Sequence, residues 1–494
     1  MNLRLLFLSA LITAQGLANE AGRPDTFVHL FEWKWTDIGR ECKEFLGPNG
    51  YAAVQISPPN EHIVMKNFPW YQRYQPVSYK LQSQGGSEAE FIAMIKDCKS
   101  AGVEIYVDAV INHMTATSEA SPVLSGSAGS RYGHYNYPGL YAPDDFHDCG
   151  RGEGNEIRNY HDRFEVQNCE LGNLADLKTE KQLVQETLSS YLQRLIDLGV
   201  AGFRIDAAKH IPTLDLKNIF SKVEGKFYVY QEVIGSDSEP IQAREYLSTG
   251  AVSEFRYVYQ VGSFFQDGKI SWFNNNTPLG ESWGYLPGEK SVVFIDNHDS
   301  QRSEGTLSHK SKTKYQLANV FMLAWPYGHP QVMSSFLFSD PRQGPPSVQE
   351  GVTHSIYGPT GRGCLPEDYD RYTRTGWVCE HRWRAISSMV KFRKVTAGAP
   401  VTNWWSNNGN QIAFGRGEKG FVVINNEDVL LRQELKTSLP PGRYCDVISG
   451  TIRNACQGEV ITVDARGKFT AELLPGKALA LHVQARPARK KIRN

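Results

Sequence analysis

The chain has 494 residues, of which 40% are hydrophobic and 21% charged, and its 53 Lys+Arg balance 53 Asp+Glu. That length is too great for one small domain and suits a large barrel with one or two smaller units. The balanced charge offers no basic surface for a nucleic-acid partner, and the single basic cluster, Arg486–Arg493, sits in the tail.

Residues 1–18 read as a secretory signal: Arg4 is the positive start, Leu5–Ala14 the apolar core, and Gly16-Leu17-Ala18 the small residues before a cut after Ala18. No later stretch reaches the roughly 18 apolar residues that span a bilayer, so an exported protein without a membrane anchor is expected. The eight cysteines all follow residue 18, and an oxidising compartment favours four disulfides. Local spacing pairs Cys149 with Cys169, Cys364 with Cys379 and Cys445 with Cys456, leaving Cys42 with Cys98. A zinc site is the alternative, but no CxxC pair supports it. Asn275-Asn276-Thr277 is the one glycosylation sequon, weakened by Pro278.

Phe27–Phe31 is an apolar run that predicts a first strand. Thr36 is placed to cap a helix presenting Ile38, Cys42 and Phe45 on one face. Tyr51–Ile56 predicts strand two. Ser87–Glu90 is a capping box, and Phe91, Met94, Ile95 and Cys98 follow at helical spacing. Val103–Ile111 predicts strand three. From Met114 to about Ala175 no helical period is visible. A structureless loop of about 60 residues is improbable, so this segment reads as a small irregular domain stapled by Cys149 and Cys169. An amphipathic helix then covers Thr179–Leu198. Val200–Ile205, Phe227–Tyr230, Ala251–Phe255, Val292–Ile295 and Gln331–Ser335 predict strands four to eight, with helices at Tyr315–Trp325 and Arg382–Lys394.

Eight strands alternating with helices predict an α/β fold: a (β/α)8 TIM barrel over 19–112 and 177–398, interrupted by the irregular domain at 113–176. The short β-like runs Gln411–Gly415, Gly420–Asn425, Gly442–Ile448, Val460–Val463 and Lys477–His482 predict a C-terminal antiparallel β-sandwich at 399–485, before the tail 486–494. Three acids then stand at strand ends. Asp206 ends strand four, Glu232 follows strand five and Asp299 closes the segment after strand seven. The C-terminal rim is where such barrels react. Arg204 lies inside an apolar strand and needs an anion partner, because an unpaired buried charge is costly.

The blocks Asp108–His113 (DAVINH), Gly202–His210 (GFRIDAAKH), Glu232–Ile234 (EVI) and Phe294–Asp299 (FIDNHD) resemble, in order and spacing, the four short motifs of the alpha-amylase family of glycoside hydrolases. The likeness is nearest to animal-type secreted members and extends over about Phe27–His482, including Pro69-Trp70-Tyr71 and Arg73–Pro76. It implies endohydrolysis of α-1,4 bonds in starch and glycogen with retention, through a covalent intermediate. Asp206 would be the nucleophile, Glu232 the general acid and base, and Asp299 the stabiliser of the transition state. Arg204 would hold Asp206 ionised and oriented. Trp70 and Tyr71 would stack on glucose rings, with Tyr74 and Gln75 lining the same cleft. His113 and His298 would hydrogen-bond the sugar at the cleaved bond, Lys209 and His210 would contact the reducing side, and Asp108 would be a structural acid.

The resemblance also implies calcium between barrel and insertion, held by the side chains of Asn112 and Asp176 and the carbonyls of Gln167 and His210. Many animal members bind chloride through an arginine, an asparagine and a basic residue on strand eight. Arg204 and Asn297 match, but Gln331 stands in the third place. A neutral amide weakens an anion site, so little dependence on chloride is expected. The glycine-rich loop of many relatives is replaced after Arg302 by the shorter Ser303–Leu307, which leaves a maltose-acting or transglycosylating sibling as an alternative. A non-catalytic carbohydrate-binding relative is the alternative from another class, and a monomer is the default.

Overall fold

The computed structural model describes residues 25–487, apart from 117–123, 152–153, 349–350, 359–362, 371–372 and 451–454. The secretory signal read in residues 1–18 and the tail beyond residue 487 lie outside the described residues. Eight parallel strands close a barrel in chain order: β1 (Phe27–Leu30), β2 (Ala53–Ile56), β3 (Glu104–Ala109), β4 (Gly202–Ile205), β5 (Tyr228–Gln231), β6 (Ala251–Ser253), β7 (Ser291–Val293) and β8 (His329–Ser334). Closure is made by β1, whose Phe27 pairs with Gln331 of β8 on one side and Ala53 of β2 on the other.

The barrel interior is graded. Its lower part is aromatic, with Phe27, Tyr106, Tyr228 and Tyr230 in edge, tilted and stacked contacts. Its upper part is polar, and Gln55, Asp108, Arg204 and Gln331 are all buried there. A closed parallel sheet leaves no free edge, so interior polar groups must satisfy one another.

Two local expectations change. Strand six stops at Ser253, because the Glu254 carboxylate accepts from the Arg256 amide at 3.2 Å and starts the helix Phe255–Gln266. Thr36 does not cap the first helix. Trp35–Glu41 begins after Lys34, and the Gly85 carbonyl satisfies the Trp35 amide at 2.9 Å. The capping box before Glu88–Ser100 forms: Ser87 Oγ accepts from the Glu90 amide, and the Glu90 carboxylate accepts from the Ser87 amide. Cys42 and Cys98 then join this helix to the segment following the first. All four expected disulfides are present.

The insertion is tied to the barrel by His113–Ala116, antiparallel to Leu174–Asp176. It contains one helix that the sequence reading lacks, Arg163–Asn168. Six residues are too few to show a helical period, and the Asp162 side chain starts it by accepting from the Phe164 amide at 2.9 Å. The C-terminal domain is antiparallel, with a four-stranded sheet of Val401–Ser406, Gln411–Arg416, Gly420–Asn425 and Lys477–His482. Ile412, Phe414, Val422 and Ile424 join the barrel's core, while the alternate residues Ala413, Phe421 and Val423 pack against Leu431, Leu435 and Phe469. Both faces of this sheet are covered, as the two-residue period of a strand allows.

Candidate active site

Register brings the first charges together. Asp108 on β3 lies opposite Arg204 on β4, which lies opposite Tyr230 on β5. Arg204 Nη1 donates to Asp108 Oδ1 at 2.5 Å and to Asp206 Oδ1 at 2.8 Å, and Nη2 donates to Glu232 Oε1 at 2.5 Å. One guanidinium fork therefore holds three carboxylates, including both candidate reacting acids. The other Asp108 oxygen, Oδ2, accepts from the Tyr74 hydroxyl at 2.9 Å and from Gln55 Nε2 at 3.0 Å.

Asp206 directs the chain into Ala207, whose φ of 48° is left-handed. Such a conformation costs a non-glycine residue about 1–2 kcal/mol, and the surroundings must impose it. Here the Ala207 amide donates to Glu232 Oε2 at 2.9 Å, so the turn fixes both acids at once. Burial pushes the Asp206 carboxyl well up and raises that of Asp108, Arg204 opposes this, and the neighbouring carboxylates reinforce it. One cation against three carboxylates leaves an excess of negative charge if all ionise.

Asp299 faces this cluster from the loop after β7. Burial and Glu232 push its carboxyl up to about 7, against Arg204 and Arg302. Its side chain is 40% exposed, so water moderates that rise. His298 Nε2 lies 3.1 Å from Asp299 Oδ2. The His298 ring stacks on Tyr74 and meets Trp70 edge-on. Burial holds His298 well below its usual range and His113 down at about 4, so both act as neutral hydrogen-bonding groups. His113 Nε2 lies 3.0 Å from the Tyr74 carbonyl. Trp70 and Tyr71 are half-buried on one short helical turn, Trp70–Tyr74. Gln75 is turned toward the insertion, where its Oε1 accepts from the Ala116 amide at 3.0 Å.

At the insertion, Asn112 Nδ2 contacts Asp176 Oδ1 at 3.1 Å. His210 Nδ1 lies 2.8 Å from the Val166 carbonyl. The Tyr246 hydroxyl lies 2.9 Å from the Lys209 and Ile211 carbonyls and accepts from Gln167 Nε2 at 3.3 Å. The segments carrying Gln167 and His210 thus meet at one seam. Burial pushes the Asp176 carboxyl up to about 7 against the partnership of His147 and Asn112. The Asp176 carboxylate, the Asn112 amide oxygen and the main-chain carbonyls of this seam are the oxygen donors that a hard cation would need. Lys209 Nζ donates to Glu239 and sits 5.3 Å above the Tyr160 ring. Asn297 Oδ1 accepts from the amides of Asp299 and Ser300, closing its own turn. Gln331 Nε2 donates to Gln55 Oε1 and to the Tyr230 hydroxyl.

Four contributors escaped the sequence reading: Gln55, Tyr230, Glu239 and Arg302. The first two carried only the ordinary pattern of a strand. Glu239 and Arg302 sit in loops with no period to mark them.

Comparison with known proteins identifies the family. The model of the alpha amylase catalytic domain matches residues 64–232, and that of the alpha amylase C-terminal all-beta domain matches 404–484. An alpha-amylase-related protein of Drosophila willistoni is 44% identical, over 93% of each chain. An alpha-amylase of Thermomonospora curvata is 45% identical, over 97% of this chain and 77% of its own. The structure of alpha-amylase I from Eisenia fetida superposes with a TM-score of 0.86 at 38% identity, covering 95% of this chain and 99% of its own, and a mutant of that protein was solved with maltohexaose. The chain belongs to the alpha-amylase family of glycoside hydrolases.

Proposed function

We propose that this protein is a secreted alpha-amylase that cuts internal α-1,4 bonds of starch, glycogen and malto-oligosaccharides with retention of configuration. The observation that carries this reading is the shared Arg204 fork, which keeps Asp206 and Glu232 side by side. A short separation between two carboxyl groups leaves no room for a water between nucleophile and sugar, as retention requires. Asp206 forms a bond to the anomeric carbon as the glycosidic oxygen leaves, taking its proton from Glu232. Glu232 then removes a proton from water, which attacks the same carbon and releases Asp206. Asp299 and the neutral His298 and His113 hold the ring's hydroxyls, and Trp70 and Tyr71 supply the stacking faces. The maltohexaose complex of the earthworm relative supports the substrate class.

Calcium fits the seam of Asn112, Asp176, Gln167 and His210. Bound there, it supplies charge neutralisation and rigidity, and no reacting group. Chloride is not required in this reading: both ends of the Arg204 fork are engaged by carboxylates, and Gln331 and Asn297 are committed elsewhere. Four disulfides support export, and among the described residues no helix is long and apolar enough to cross a membrane.

The test is to incubate the protein with starch and calcium and follow the released sugars by chromatography and NMR. Internal cleavage giving α-anomers first is expected. β-Anomers or no release would refute the reading, and glucose alone, or chain transfer, would favour a maltose-acting or transglycosylating sibling.

A further inference from the structure

Arg302 is a cation of the cleft wall whose partners are carbonyls and rings. Its Nη1 donates to the His298 carbonyl, one residue before Asp299. Its Nε donates to the Pro341 carbonyl at 3.0 Å, and that same oxygen accepts from Trp70 Nε1 at 2.9 Å. The guanidinium lies over Phe338 at 4.4 Å and Trp70 at 4.9 Å, with Phe31 at 5.3 Å and Phe336 at 5.4 Å. Its Nη2 is buried without a hydrogen-bond partner, and no carboxylate lies within ion-pairing distance among the described residues.

A guanidinium in an aromatic cage without an acid is a costly arrangement if its only task is packing. It is economical if the fork sets geometry. Four loops meet on this side chain: the one after β1 that carries Phe31, the one after β2 that carries Trp70, the one after β7 that carries Asp299, and the one after β8 that carries Pro341. Methionine would fill the cage but could not join the two carbonyls. Lysine would keep the charge but lacks the planar fork.

We infer that Arg302 is a positioning residue for the glycosidase reaction, locking the Trp70 stacking platform and the Asp299 backbone into one unit through the His298 and Pro341 carbonyls. The inference rests on the proposed function. It also carries an electrostatic consequence. Asp299 faces Glu232 and Asp108, which favour its neutral form, and Arg204 and Arg302, which favour its charged form. His298, held neutral, and the phenols of Tyr74 and Tyr259 complete its surroundings.

The experiment compares wild type with Arg302→Met and Arg302→Lys on maltohexaose, measuring kcat, KM, the pH profile of kcat/KM and thermal midpoints. Arg302→Met should lose about 100-fold in kcat, with a smaller change in KM, since small misplacements at a site cost on that order. Its acidic limb should move to higher pH. Arg302→Lys should return the limb to the wild-type position while kcat stays about tenfold low, because the charge is restored and the fork is not. A Met variant within about twofold of wild type in kcat and unmoved in its limb would overturn the assignment, whatever its melting temperature. If the Met variant does not fold, the Lys variant decides: a kcat equal to wild type overturns the role of the fork. Wild type that cleaves nothing would instead defeat the proposed function, so the two failures are distinct.

Discussion

Arg204 shows how one residue can organise a site. A buried guanidinium must find acceptors for a rigid fork of donors, and three strand ends deliver carboxylates to it. Asp206→Asn should reduce kcat by on the order of 10⁴ to 10⁶ while leaving the circular dichroism spectrum unchanged, since a nucleophile that acts as part of a unit disables the whole unit. Retained activity would remove Asp206 from that role. The amide at position 331 yields a second residue-scale prediction. Assays in chloride-free buffer should run within about twofold of those with added chloride, because a neutral group replaces one positive charge. A rate that collapses and recovers with chloride would show that the fork holds an anion after all.

At the scale of elements, the long segment between β8 and the helix Arg384–Val395 is held by the first helix. Asp37 accepts from Ser355 Oγ and the Ile356 amide, and Glu41 accepts from Arg382 Nε at 2.7 Å, from Tyr357 and from His381. Burial opposes ionisation of Glu41, but His381 and Arg382 outweigh it and bring the carboxyl down to about 2. His381 is itself lowered by burial, so it is a neutral donor and Arg382 is the counter-charge. Because the folded value is depressed, this stabilisation is fully present above the unfolded carboxylate's range near 4.5 and is lost as pH falls through about 2. Glu41→Gln should destabilise by about 2–3 kcal/mol at pH 7, below the usual cost of breaking a fully buried pair because Arg382 is 28% exposed. Urea midpoints should show that deficit at pH 7 and roughly half of it at pH 3. A deficit equal at both values would mean that packing, and not charge, holds this loop.

At the scale of the whole molecule, the insertion meets the barrel where both the cleft and the proposed calcium seam lie. Chelation should lower the melting temperature and the activity together, and added calcium should restore both, since a ligand that binds only the folded state stabilises it by mass action. Calorimetry with and without chelator checks this, and a melting temperature indifferent to both treatments would dismiss the seam as a calcium site. The C-terminal sheet shares the barrel's core through Ile412, Phe414, Val422 and Ile424, so the two should melt in one transition.

Local chemistry determined much of this protein. Alternation of apolar runs with helical periods predicts eight strands, because burial within a parallel barrel demands apolar residues in each. A capping box, paired cysteines and acids at strand ends were legible for similar reasons, since each is a short-range rule written in neighbouring residues. Tertiary structure decided what no local rule encodes. Only barrel closure sets Gln55, Tyr230 and Gln331 around Asp108 and Arg204, because the partners lie on different strands and meet across the barrel interior. The six-residue helix of the insertion is fixed by an end cap and by packing on the turn at His210, not by a period of its own. Thr36 loses its capping role to a carbonyl about fifty residues away, and Arg302 gains its place from four loops that the chain separates by tens to hundreds of residues. Long-range contacts of that kind depend on how the barrel closes, and a sequence window cannot contain them.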